Sequence, residues 1–231
     1  MHPSGPVILK SLEVERDGAR LFRAAMDAEA LEAIEAVLSD QPADQAGVRL
    51  FGVPGLSNLL DSGSLLGSIA ASAMEGTPRP VRAILFDKTP SANWALAWHQ
   101  DRVVAVRERI DVVGFGPWTR KHGALHVAPP FEVLARMTTL RLHLDAVPET
   151  NAPLLVAAGS HRYGRIDEHA VPRLVQQCAV VTCLADRGDV WLYATPVLHA
   201  SEAARQPGHR RVLQVDYAVG ELPGGLSWLG L

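Results

Sequence analysis

Trp98-His99-Gln100-Asp101 sets an imidazole and a carboxylate two residues apart, and Pro196-Val197-Leu198-His199-Ala200-Ser201 supplies a second imidazole far downstream. Residues two apart on a strand project from the same face, so His99 and Asp101 would present their ligand atoms together. Two imidazoles and one carboxylate make up the facial triad of non-haem iron(II) sites, which fills one face of an octahedron and leaves the other open. An open face lets a metal bind reactants instead of bracing a fold. On its own a His-x-Asp spacing is also what a surface histidine beside a solvated aspartate looks like. The distinction rests on the elements around it.

Gly188-Asp189 is a turn signal followed by the apolar run Val190-Trp191-Leu192-Tyr193-Ala194, which leads through Thr195-Pro196 to His199. Arg210-Arg211-Val212-Leu213-Gln214-Val215-Asp216-Tyr217-Ala218 reads as a further strand with a cation at its entrance. Earlier in the chain, Asp27 caps a predicted helix reaching Leu38, with apolar residues at Leu31, Ile34 and Leu38. A second helix is predicted from Leu65 to Met74. After Pro80 the pattern changes to short apolar or alternating runs separated by Pro, Gly and Asn: Val81 to Asp87, Leu140 to Asp145, Leu154 to Ala157, Val180 to Leu184, Asp189 to Tyr193 and Val212 to Ala218. Helices first and strands afterwards predict an α+β, mainly β, chain whose sheets close or stack as a barrel or jelly roll. No linker or repeat divides it, so 1–231 reads as a single domain, with 1–80 mostly helical and 81–218 forming the β core. Val103 to Pro130 is polar and Gly/Pro-bearing; it is expected to be a long connection, either a plain ordered surface loop or, from its position beside the metal pair, a substrate-binding lid.

The chain has 231 residues, 48% hydrophobic and 20% charged, with a formal net charge of −3. That is ordinary for a globular protein and gives no basis for binding nucleic acid or an anionic membrane surface. No apolar run approaches a membrane span, and the N-terminus lacks the core of a signal peptide. Cys178 and Cys183 are five apart and would face opposite ways on one strand, so they are not expected to pair. Both points favour a reducing cytoplasm, where iron also stays ferrous.

Phe86-Asp87-Lys88-Thr89-Pro90, Trp98-His99-Gln100-Asp101, Asn151-Ala152-Pro153-Leu154, Ala158-Gly159-Ser160-His161, His199-Ala200-Ser201 and Arg210 occur in this order. Together they resemble the phytanoyl-CoA dioxygenase family of iron(II)- and 2-oxoglutarate-dependent oxygenases, over roughly Val81 to Ala218. The resemblance implies a double-stranded β-helix (a cupin-like jelly roll) with N-terminal helices packed outside. It implies that His99, Asp101 and His199 are the iron ligands. It further implies that Arg210 pairs with the distal carboxylate of 2-oxoglutarate, with Ser201 assisting and Lys88 nearby. Arg141 stands where relatives can carry an aromatic beside the cosubstrate, and Asn151-Ala152 where relatives often have Asn-Gly. With O2, such a site forms succinate and CO2 and hydroxylates a small molecule. Asp101 favours hydroxylation, since relatives that halogenate have a small residue there.

Arginine suits the distal carboxylate because its planar fork meets it with two parallel hydrogen bonds and stays charged when buried. Arg210 and Arg211 alternate along a strand, so only one of them can face inward. Arg141, His143 and Asp145 would share one strand face, lining either the barrel or the solvent. His161 is expected to be structural, His122 and His126 could contact substrate from the lid, and Trp94 and Trp98 read as core aromatics. Two other readings stay open at this level: a non-catalytic module that binds 2-oxoglutarate and metal, and a different cupin-type metalloenzyme. Cupin ligand sets usually contain a His-x-His pair, which this sequence lacks.

Overall fold

The computed structural model describes residues 11–42 and 45–231. In chain order its strands are β1 (Ala19–Phe22), β2 (Val48–Arg49), β3 (Pro78–Lys88), β4 (Leu96–His99), β5 (Val104–Val106), β6 (Trp118–Lys121), β7 (Ala124–Val127), β8 (Thr138–His143), β9 (Leu154–Ala157), β10 (Val180–Cys183), β11 (Val190–Ala194), β12 (His199–Ser201) and β13 (Arg210–Val219). A six-stranded antiparallel sheet, β1-β11-β8-β13-β3-β2, faces a four-stranded one, β10-β9-β12-β4, as a jelly roll.

Strand alternation decides what each face of the large sheet does. Leu140, Leu142, Leu192, Leu213 and Val215 point outward and bury against Leu31, Ile34 and Leu38 of the helix Ala28–Leu38 and against Leu56, Leu60 and Leu66 of two shorter helices. The first of these helices starts where the Asp27 side chain accepts the Ala30 N–H. The opposite face, into the roll, carries Arg82, Lys88, Arg141, His143, Gln214 and Asp216, whose strand positions share a side by the β3-β13-β8 register. The helical layer therefore supplies stability and leaves the interior free to be polar. Leu140 is fully buried in that layer; Leu140→Ala is expected to cost about 3 kcal/mol in thermal or denaturant unfolding without altering metal binding.

Several expected boundaries move. The helix from Leu65 ends at Ala71 rather than Met74, because the Ser72 hydroxyl donates to the Ile69 carbonyl and competes with another turn. The strand expected at Leu140–Asp145 runs instead from Thr138 to His143. Asp145 falls outside it and binds Arg211, so it does not share the face of Arg141 and His143. Residues 1–80 also contribute two strands to the large sheet, β1 on β11 and β2 on β3.

The largest correction concerns the expected lid. Residues 104–127 contain a three-stranded sheet, β5-β7-β6, not a structureless connection. Val104, Val106 and Val127 are buried against Val81, Leu222, Leu226 and Trp228. The chain's last described segment braces it, with Arg107 N–H donating to Ser227 O and Leu229 N–H to Ala105 O. Its glycines and proline fall in the connections between strands, and Gly114 and Gly123 take positive φ in turns. The polar composition that suggested a loop belongs to the exposed face of this sheet.

Candidate metal centre

His99 ends β4 and pairs in register with His199, which opens β12, so two antiparallel strands bring the imidazoles together. Their ring centroids are 4.3 Å apart. Asp101 lies just past the end of β4, so the same-strand reading of His-x-Asp holds only for His99. One ligand atom from each of His99, Asp101 and His199 lies within 4.8 Å of the others. His99 Nδ1 is 2.8 Å from Ala97 O and His199 Nδ1 is 3.0 Å from Val197 O, each two residues back. A ring that donates from Nδ1 to a carbonyl turns Nε2 toward a metal as the lone-pair nitrogen. Burial pushes the His199 pKa down to about 4, helped by the charge of His99 and opposed by Asp101. It is therefore neutral at pH 7, as a ligand must be. Burial alone would raise the Asp101 pKa, but His199, Arg82 and His99 outweigh it and hold it below the usual carboxylate range. This donor set fits iron(II).

Gln100, between the two ligands, carries no signal of a role in the sequence. Its buried amide donates to Gly164 O and Pro196 O and accepts from Ile166 N–H. It thereby ties the His99 strand to the loop after β9 and to the turn before His199. Nearby, Ser160 of the Gly-Ser-His turn accepts the Leu198 N–H at 2.8 Å, while His161 bonds the Glu15 carbonyl. That turn works as a brace.

The other expected residues gather deeper in the roll. Arg210 and Lys88 are cross-strand partners, both buried. Lys88 Nζ donates to Ser201 Oγ at 3.2 Å and to Glu202 O at 2.6 Å. Arg210 Nη1 donates to Ala152 O, which Ser201 Oγ also approaches at 3.3 Å. Ala152 takes φ 51, the left-handed conformation that an Asn-Gly turn would adopt with less strain. Arg141 donates to Gln214 Oε1 at 3.0 Å. Arg211 points the other way, bound to Asp145 and Glu35 at 2.7 and 2.9 Å on the outer surface. Trp94 packs on Phe86 and lies under Lys88, and Trp98 joins the small cluster around Leu198.

Three cations thus share a buried space. Burial, then Arg210 and Arg141, push the Lys88 pKa down to about 7; burial and Arg141 bring Arg210 down to about 9. Arg141 Nε, Arg210 Nε, both His143 nitrogens and Asn151 Oδ1 are buried without a hydrogen-bond partner. His143, pushed to about 3 chiefly by burial, is neutral. Unpartnered donors and mutually repelling cations call for an anion. A dicarboxylate such as 2-oxoglutarate answers both demands. His126 lies buried in the covering sheet, and His122 sits exposed at its turn. A groove of about 800 Å³ beside Glu13, Met74 and Arg136 contains none of the triad.

Comparison with known proteins bears on the fold. The family model described as Phytanoyl-CoA dioxygenase (PhyH) matches residues 14–212. No curated protein sequence matches the chain. Among solved structures, AviO1 from Streptomyces viridochromogenes Tue57 is 19% identical with a TM-score of 0.63, covering 91% of this chain and 93% of that one. EctD from S. alaskensis, solved with 2-oxoglutarate and 5-hydroxyectoine, is 17% identical with a TM-score of 0.65, covering 89% and 73%. HygX from Streptomyces hygroscopicus, solved with nickel and 2-oxoglutarate, is 15% identical with a TM-score of 0.58, covering 89% and 84%. At these identities the shared property is the jelly-roll fold.

Proposed function

This chain belongs to the phytanoyl-CoA dioxygenase family and is an iron(II)- and 2-oxoglutarate-dependent oxygenase; on that premise we propose that it hydroxylates a small molecule, with His99, Asp101 and His199 holding the iron and Arg210, Lys88, Ser201 and Arg141 holding 2-oxoglutarate. One observation carries the residue assignment: a facial triad at one end of the interior and an unanswered cluster of three cations at the other. His199 and Ser201 are two residues apart on β12, roughly 7 Å along an extended strand. That is the scale of a five-carbon diacid bridging metal and cations.

With O2, the bound iron and 2-oxoglutarate supply an oxidative decarboxylation in which one oxygen atom enters succinate, CO2 leaves, and the other is inserted into a substrate C–H bond. The protein's part is positional. The carbonyls of Ala97 and Val197 fix the two imidazoles. Arg210 offers a fork to the distal carboxylate, and Lys88 and the Ser201 hydroxyl meet the same group. The three-stranded sheet, braced by Trp228 and Leu226, brings Lys121 near enough to Asp101 to favour its charged form. A small-molecule substrate is favoured by the placement of the triad and the cations inside the jelly roll, and a formal net charge of −3 gives no basis for recruiting nucleic acid. No helix among the described residues is long and apolar enough to cross a membrane. Cytoplasmic residence is part of the proposal and draws support from two unpaired cysteines.

The direct test is mass spectrometry of incubations with iron(II), ascorbate, 2-oxoglutarate and candidate metabolites under 18O2. Hydroxylation gives a product one labelled oxygen heavier, in step with succinate. Products that lose hydrogen without gaining oxygen would sink the hydroxylase assignment.

Lys88 gives a pH signature. Below pH 7 it is charged in the ligand-free protein, and the carboxylates of 2-oxoglutarate favour that form and raise its pKa when bound. Between those two values binding takes up a proton, so affinity is flat below pH 7 and weakens by up to about tenfold per pH unit above it. Anaerobic calorimetry across pH 6 to about 8.5 checks this, and Lys88→Met should flatten the curve. A wild-type affinity that does not change over that range would remove Lys88 from the site.

A further inference from the structure

His99 and His199 each have a carbonyl behind them, but Asp101 accepts no hydrogen bond among the described residues. The nearest cation is Arg82, whose Nη2 lies 3.7 Å from Asp101 Oδ2. Arg82 is itself held: its Nε donates to Asp216 Oδ2 at 2.5 Å across the β3-β13 register. The second oxygen of Asp216 accepts from Thr139 Oγ1 at 3.2 Å, and Thr139 pairs with Thr195 Oγ1 at 3.0 Å in the turn that leads to His199. Three strands and one turn therefore converge on a single guanidinium beside the metal carboxylate.

A buried arginine–aspartate pair is poor value for stability, since desolvating two charges consumes most of what their attraction returns. This one sits in strands whose other faces are Val81, Ala83, Leu85 and Val215, where apolar residues would serve. Burial would pull the Arg82 pKa down, yet Asp216 and Asp101 raise it above the ordinary arginine value, so its charge is permanent. Asp101 also lies past the end of β4, where no ladder fixes its rotamer.

Resting on the iron reading above, we infer that Arg82, anchored by Asp216, is the positioning residue for Asp101. It orients the ligand carboxylate and keeps the Asp216 carboxylate, occupied on both oxygens, out of the coordination sphere. Partners of this kind tune ligand geometry and metal affinity without touching the metal.

The test uses Mn(II) as a redox-stable probe, titrated calorimetrically into the full-length protein. Arg82→Met alone would strand Asp216 and could prevent folding, so the informative variant is Arg82→Met with Asp216→Leu, which replaces the pair by apolar groups of similar volume. Expected is a melting temperature close to wild type with Mn(II) affinity weakened about 10- to 100-fold. Arg82→Lys keeps the charge and should recover part of the loss. Wild-type affinity in the double variant, or losses in all variants that simply follow a fall in melting temperature, would overturn the inference. If the double variant does not fold, Arg82→Lys decides: weaker binding at unchanged melting temperature supports positioning, and unchanged binding refutes it. Mn(II) binding that is undiminished by His99→Ala in an otherwise wild-type chain would instead refute the iron site itself.

Discussion

Alanine at His99, Asp101 or His199 is expected to abolish 2-oxoglutarate turnover while leaving the fold intact. Losing a residue that merely supports a ligand costs about 10- to 100-fold in metal affinity or activity; losing a ligand should exceed that range. The fold is expected to survive because the triad contributes nothing to the apolar clusters on either side of the large sheet. The measurement is succinate release in the presence of iron(II), ascorbate and 2-oxoglutarate without added substrate, alongside circular dichroism. Retained uncoupled turnover in Asp101→Ala and His199→Ala would place the reacting metal elsewhere.

Arg210→Gln and Arg211→Gln should separate sharply despite being neighbours. Arg210 faces Lys88 and Ala152 inside the roll, whereas Arg211 is tied to Asp145 and Glu35 outside it. A charge-assisted pair with a carboxylate is worth about 1.5–3 kcal/mol, so Arg210→Gln should weaken 2-oxoglutarate binding about 10- to 150-fold. The same change removes a cation that depresses Lys88, so the pH at which affinity begins to fall should move above 7. Arg211→Gln should leave affinity within about twofold and cost about 0.5–1 kcal/mol of stability, as the loss of a partly exposed ion pair does. Anaerobic calorimetry with both variants reads the difference. Equal effects would mean that the cationic cluster does not hold the cosubstrate.

The sequence disclosed the chemistry more readily than the geometry. His99, Asp101, His199 and Arg210 were visible because their types and intervals are constrained by metal and carboxylate binding. Strand alternation required that only one of Arg210 and Arg211 face inward, and it could not say on which side the helices would pack. Arg82 and Asp216 carry a signal of their own, since each is a charge flanked on both sides by apolar residues within a strand run. Gln100 left no such mark, since its amide is satisfied only by backbone groups of Gly164, Ile166 and Pro196, 64 to 96 residues further along the chain. The sheet over residues 104–127 was hidden for a related reason. Its buried positions Val104, Val106 and Val127 find their partners in Val81 and in residues 222–228, and local composition cannot report a partner a hundred residues away.

An anaerobic crystal structure with iron(II) and 2-oxoglutarate tests the central claim most directly. One metal coordinated by His99, Asp101 and His199, with the distal carboxylate of 2-oxoglutarate on Arg210, is the expected result. Iron bound by another donor set, or a 2-oxoglutarate whose distal carboxylate lies away from Arg210 and Lys88, would contradict it.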